Sequence, residues 1–143
     1  MQYSELTDFQ TRLKAVDLKT TAARLAILDA LSNAETPLSA KNIADGMTKK
    51  QKVDQATIYR NLEAMTSANI IRMVNFQHDH NHYELVDSSH HHHAICKKCG
   101  KVVDISGCDL KGWDKQVKKI SDFAEINQHA LEFFGLCKTC GTK

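Results

Sequence analysis

Residues 1–77 contain no cysteine and no histidine, while all five cysteines and all eight histidines of the 143-residue chain follow Gln77. Any thiolate or imidazole chemistry is therefore confined to the second half. Proline occurs once and glycine six times, which excludes a Pro-rich or Gly-rich low-complexity class. No apolar run approaches the roughly 20 residues that span a bilayer, so no membrane partner is expected. The opening Met1-Gln2-Tyr3-Ser4-Glu5 is polar with an early acid, unlike a secretion signal, and points to a cytoplasmic protein. An excess of one charge is missing too. The net charge is +2, with nine Lys or Arg against eight acids up to Ile70 and ten against nine beyond it. The whole-molecule field cannot draw the chain onto nucleic acid, so any DNA affinity must come from a local patch. What remains, 42% hydrophobic and 25% charged residues, is the composition of a globular protein long enough for one ordinary domain or two small ones.

The first half carries helical periodicity. Leu6, Phe9, Leu13 and Val16 recur at helical spacing, followed by Ala22, Leu25, Leu28 and Leu31 behind Thr20 or Thr21 as a cap. Pro37 breaks this second helix from a third, Ala40, Ile43 and Met47 behind Ser39. A fourth helix, capped by Asp54, places Ile58, Leu62 and Met65 on one buried stripe. Ala56, Thr57 and Arg60 then face away and Tyr59 sits on the flank. From Ile71 the period becomes two: residues 72–77 and 82–87 read as strands around the polar loop His78-Asp79-His80-Asn81. Helices ending in a β-hairpin form a winged-helix pattern. Further on, 94–96 and 102–105 read as short strands, Leu110, Trp113, Val117 and Ile120 as an amphipathic helix, and 123–134 as a last strand. The whole is α+β.

Cys96-Lys97-Lys98-Cys99-Gly100 and Cys137-Lys138-Thr139-Cys140-Gly141 are two C-x-x-C knuckles. Each offers two thiolates to a tetrahedral Zn²⁺, so the spacing points to one structural zinc. A thioredoxin-like site fits poorly with a second pair and no βαβ pattern, and disulfides fit poorly with a reducing cytosol. Cys108 is left over and is expected to be a buried structural thiol. Within the run His90-His91-His92-His93, alternation along a strand makes His91 and His93 one pair of imidazoles and His90 and His92 another. Glu84, His91 and His93, with His82 or Asp104 nearby, would make a mixed nitrogen and oxygen site suited to Zn²⁺, Fe²⁺ or Mn²⁺. His78 and His80 are expected in a solvated loop rather than at a metal.

Taken together, these residues resemble the ferric uptake regulator (Fur) family of metal-dependent bacterial repressors, from about Leu18 to Cys140. The resemblance is carried by Leu18-Lys19-Thr20-Thr21-Ala22-Ala23-Arg24, Ala56-Thr57-Ile58-Tyr59-Arg60-Asn61-Leu62, Tyr83-Glu84-Leu85, the stretch from His90 to Cys96, and Cys99-Gly100-Lys101-Val102-Val103-Asp104. It implies a winged-helix DNA-binding domain over residues 1–81, a hinge over 82–89 and a small α/β dimerisation and metal-binding domain over 90–143. Tyr59 and Arg60 match recognition-helix positions that touch base and phosphate, with Ala56 and Thr57 beside them. Lys19, Arg24, Lys49, Lys50 and Lys52 are expected phosphate contacts.

The family's regulatory site matches at Glu84, His91, His93 and Asp104, but Pro37 stands where a histidine from the DNA-binding domain is expected. Either His82, His78 or His80 then substitutes, or the site works with fewer ligands. A second family site matches at His90, His92 and His129, with Lys111 where an acid is expected. The implied function is a metal-responsive repressor of metal-homeostasis genes, active as a metal-loaded homodimer on a double-stranded DNA operator and without catalytic residues. A peroxide sensor of the same family and, from another class, a zinc hydrolase with Glu84 as base are the competing readings; a metallochaperone would bind ions but no operator.

Overall fold

In a computed structural model of the chain, residues 2–87, 90–108, 112–126 and 129–142 are described. They divide into two compact units, Met1–Val86 and Asp87–Lys143.

The first unit begins with α1 (Tyr3–Ala15) and α2 (Ala22–Ser32), and Thr21 caps α2 by accepting a hydrogen bond from the Arg24 amide. Two residues, Leu38–Ser39, form β1, and Ser39 then caps α3 (Ala40–Gly46). At α4 (Gln55–Ser67) the Asp54 carboxylate accepts from the Thr57 amide at 2.9 Å and the Thr57 hydroxyl at 2.6 Å. Those bonds to the ionised form hold its pKa below the usual carboxylate value. The expected stripe is realised, with Ile58, Leu62 and Met65 at most 1% exposed against Leu13, Ile27, Leu28 and Ile43.

Strands β2 (Ile71–Val74) and β3 (His82–Leu85) are antiparallel, in register from Ile71 opposite Leu85 to Val74 opposite His82. Both are shorter than the sequence pattern suggests, since the ladder ends where the polar connection 75–81 begins. β1 pairs with the other edge of β3, giving the order β1-β3-β2. This two-residue strand was not legible, because two residues cannot display a period. Val86 closes the unit, its carbonyl accepting from Arg12 at 3.1 Å.

The second unit is a three-stranded sheet in the order β5-β4-β6. β4 (His91–Cys96) runs antiparallel to β5 (Val102–Ser106) and parallel to β6 (Glu132–Gly135). The helices are α5 (Trp113–Ile120) and the single turn α6 (Lys138–Gly141). The long last strand expected over 123–134 is corrected to those four residues. Only His93 to Cys96 of β4 are paired with β6, so the residues before Glu132 have no ladder to join. Among the described residues of this unit only His92, His93, Ile95 and Cys96 are buried. Val103, Ile105, Trp113, Ile120, Phe123, Phe133 and Leu136 are all exposed.

Candidate metal centres and DNA interface

The knuckles meet because β4 and β6 lie side by side. Cys96 ends β4 opposite Gly135, and Cys137 follows two residues later at the start of α6. Gly100, at φ +75°, turns the chain after Cys99, and its amide donates to the Cys96 carbonyl at 2.9 Å. The second knuckle repeats the turn, the Gly141 amide donating to the Cys137 carbonyl at 2.8 Å. The four sulfurs lie within 4.8 Å of one another. Cys99 and Cys137 are 3.8 Å apart, which is the edge of about 3.8 Å that Zn–S bonds near 2.3 Å give a tetrahedron. Backbone N–H groups, first that of Cys137, lower the Cys96 pKa to about 6. Cys140, sharing a hydrogen bond with Cys137, is pushed up to about 12. Adjacent thiolates cannot all ionise unaided, and a divalent cation supplies the missing charge. The donor set fits structural Zn²⁺.

Alternation along β4 sorts the histidines as expected. The rings of His91 and His93 are 5.1 Å apart, and those of His90 and His92 4.7 Å. His93 is 1% exposed, and its Nε2 lies 3.7 Å from Oδ1 of Asp104, its partner across β5. On the other pair, His90 Nε2 is 2.9 Å from His129 Nε2, and Cys108 Sγ is 3.3 Å from the same nitrogen. His90, His92, Cys108 and His129 form one group of donors within 4.8 Å. Cys108 is thus only half-buried and stands among histidines, not in an apolar core. Sequence reasoning missed it because a single cysteine has no partner spacing to announce it. Lys111 and Asp109, which bear on this site, lie outside the described residues.

In the winged-helix unit, Glu84 on β3 is held by Arg72 Nε of β2. His82, expected beside Glu84 at the regulatory site, is gathered with His78 and His80 instead. Burial, then the charges of His80 and His78, push its pKa down to about 4, so the ring is neutral at pH 7.

The expected DNA-contacting face is exposed. Ala56, Tyr59 and Arg60 are solvent-facing on α4, Tyr59 at 47%, and Arg60 is aimed by its bond to the Thr57 hydroxyl at 3.1 Å. Lys19, Lys49, Lys50 and Lys52 are exposed. Arg24 is placed differently: half-buried, it donates to Asn61 Oδ1 of α4 at 3.0 Å and to the Lys19 carbonyl at 2.6 Å. It therefore fixes α2 to α4 as well as adding positive charge there.

A family model described as the ferric uptake regulator family matches residues 15–134. The chain belongs to that family. It is a metal-responsive, DNA-binding transcriptional regulator, and the α+β winged-helix plus dimerisation-domain fold is the family's. The Yersinia pestis ferric uptake regulation protein is 32% identical over 136 residues, 94% of this chain and 91% of that one. The Bacillus subtilis peroxide operon regulator is 28% identical, covering 100% and 98%. The Pseudomonas aeruginosa ferric uptake regulator, solved with manganese, superposes with a TM-score of 0.74 at 28% identity, covering 91% and 98%. Members of the family are transcription regulators. No helix among the described residues is long and apolar enough to cross a membrane.

Proposed function

We propose that this regulator is a repressor active as a metal-loaded homodimer in the cytoplasm, with its regulatory ligands divided between its two units. The observation that carries the reading is the pairing of His91 with His93 on β4, with Asp104 beside them, while Glu84 is carried by the winged-helix unit. A ligand set divided this way is complete only in those arrangements that bring both units to one cation. Binding therefore selects such arrangements, a population shift driven by differential affinity. The arrangement so favoured is the one that presents two copies of α4 to successive major grooves.

A homodimer is supported by the C-terminal unit's exposed apolar surface. Val103 and Ile105 share a face of β5, and Trp113, Phe123 and Phe133 add aromatic area that a second copy would cover. Cys96, Cys99, Cys137 and Cys140 hold structural Zn²⁺. Imidazole and carboxylate donors at the regulatory site suit Zn²⁺ or Fe²⁺, with Mn²⁺ also compatible. His90, His92 and His129 form a second site, and Cys108 supplies the fourth donor there, in the role for which Lys111 is unsuited. A peroxide-sensing repressor is the second reading, favoured by the match to the peroxide operon regulator along the whole chain.

The test is selection of duplexes from a random DNA pool by the full chain, with and without each metal, followed by titration of the winning duplex. Metal should be required, and Tyr59→Ala should relax base preference while Lys50→Ala weakens all duplexes alike. Equal enrichment of DNA with and without metal contradicts the reading.

A further inference from the structure

Three histidines of the winged-helix unit have no part in the assignment above. His78 and His80 lie in the connection from β2 to β3, and His82 opens β3. Their ring centroids are 5.5 Å apart for His78 and His80, 5.4 Å for His78 and His82, and 4.8 Å for His80 and His82. One nitrogen from each lies within 4.8 Å of the other two. His78 and His80 lie in a bent segment that folds back towards His82 at the start of β3, and this turn, not strand alternation, brings the three rings together.

His82 decides what this group is for. It is 8% exposed, its ring tilted against Phe76 at 4.6 Å between centroids, and its Nδ1 is buried with no hydrogen-bond partner among the described residues. A buried polar atom left unsatisfied is destabilising, because it has lost its water without gaining a partner. Solvated loop histidines would avoid that arrangement by turning outward. Asp79 brings an anion to the group, its Oδ1 2.7 Å from His80 Nδ1, which orients the ring and leaves His80 Nε2 for a metal.

We propose that His78, His80 and His82 form a metal site of their own on the winged-helix unit, holding Zn²⁺ through three neutral imidazoles with a fourth position open to water. Tetrahedral Zn–N bonds near 2.0–2.1 Å require nitrogens about 3.3 Å apart. From separations of at most 4.8 Å the rings must close by no more than about 1.5 Å. His78 and His80 are exposed and can shift with their loop, His80 already oriented by Asp79, while packed His82 serves as the fixed ligand. The ion would cross-link the β2–β3 connection and give the buried Nδ1 its partner. All three ligands belong to one unit, so the site needs neither the C-terminal unit nor a second chain.

The experiment counts zinc bound per full-length chain at equilibrium, together with imidazole ¹H–¹⁵N spectra during the titration. His78→Ala/His80→Ala removes two exposed ligands and leaves the core intact. This variant should bind one equivalent fewer than the parent and lose the zinc-dependent shift of the His82 resonances. His91→Ala/His93→Ala should keep both that equivalent and that shift, which separates this site from the regulatory one. Unchanged stoichiometry in His78→Ala/His80→Ala, or His82 resonances that ignore zinc in the parent, would overturn the proposal.

Discussion

The two units reach stability by different means. The winged-helix unit buries Leu13, Ile27, Leu28, Ile43, Leu62, Met65 and Ile71 completely and caps α2, α3 and α4 with Thr21, Ser39 and Asp54. The C-terminal unit buries, among its described residues, two histidines, Ile95 and Cys96, and leaves tryptophan and phenylalanine in solvent. A unit of under 60 residues with so little buried area needs a further source of stability. The four-sulfur centre and a covering second copy provide it. On the proposed reading, one half of the molecule folds by hydrophobic burial and helix capping, while the other depends on metal and partner for its stability.

The sharpest way to break the comparison is to remove a sulfur. Cys96→Ser should release the zinc and unfold the C-terminal unit, because structural zinc in small domains contributes on the order of 10 kcal/mol at neutral pH. Metal analysis and calorimetry should show the chelator-resistant zinc of the four-sulfur centre gone and the dimer lost, with one cooperative transition surviving from the winged-helix unit. Retained zinc with two intact transitions would refute the division. The reciprocal change, Leu62→Ala, empties the centre of a 0%-exposed position. It should cost about 2–5 kcal/mol in the winged-helix transition, read by urea unfolding, while zinc content and dimerisation stay unchanged. A smaller effect sharpens the same point: Asp54→Ala removes two hydrogen bonds at the start of α4 and should lower the winged-helix unfolding midpoint far less than Leu62→Ala does. Asp54 is ionised well below neutrality in the folded state, so this contribution is present above the unfolded carboxylate's pKa and lost as pH falls through the lower folded value.

What the sequence disclosed follows the same divide. Helical periods, caps and the Ile58, Leu62, Met65 stripe were readable in the first unit because burial imposes a period. In the second, C-x-x-C spacing disclosed the sulfur centre, and two-residue alternation disclosed the two faces of His90 to His93, since a strand's geometry is fixed. The residues that escaped owe their place to tertiary contacts. Cys108 reaches His129 across 21 residues, β1 gains its identity only from β3, and of the stretch read as a last strand only Glu132 to Phe134 find β4 to pair with among the described residues. The neighbours of His82 escaped for the same reason: sharing a face with Glu84 did not disclose that His78 and His80 fold back onto it.

The claim that the regulatory metal sits on the His91 and His93 face of β4 is tested most directly by one quantity. That quantity is the metal concentration giving half-maximal binding of the selected duplex, compared among single alanine variants at positions 90, 91, 92 and 93, each checked for retained structural zinc and dimer. His91→Ala and His93→Ala should abolish metal-dependent binding, while His90→Ala and His92→Ala shift the midpoint far less. A strong shift for His90→Ala and His92→Ala, with His91→Ala and His93→Ala left at the parent value, would place the regulatory metal on the opposite face and contradict the account.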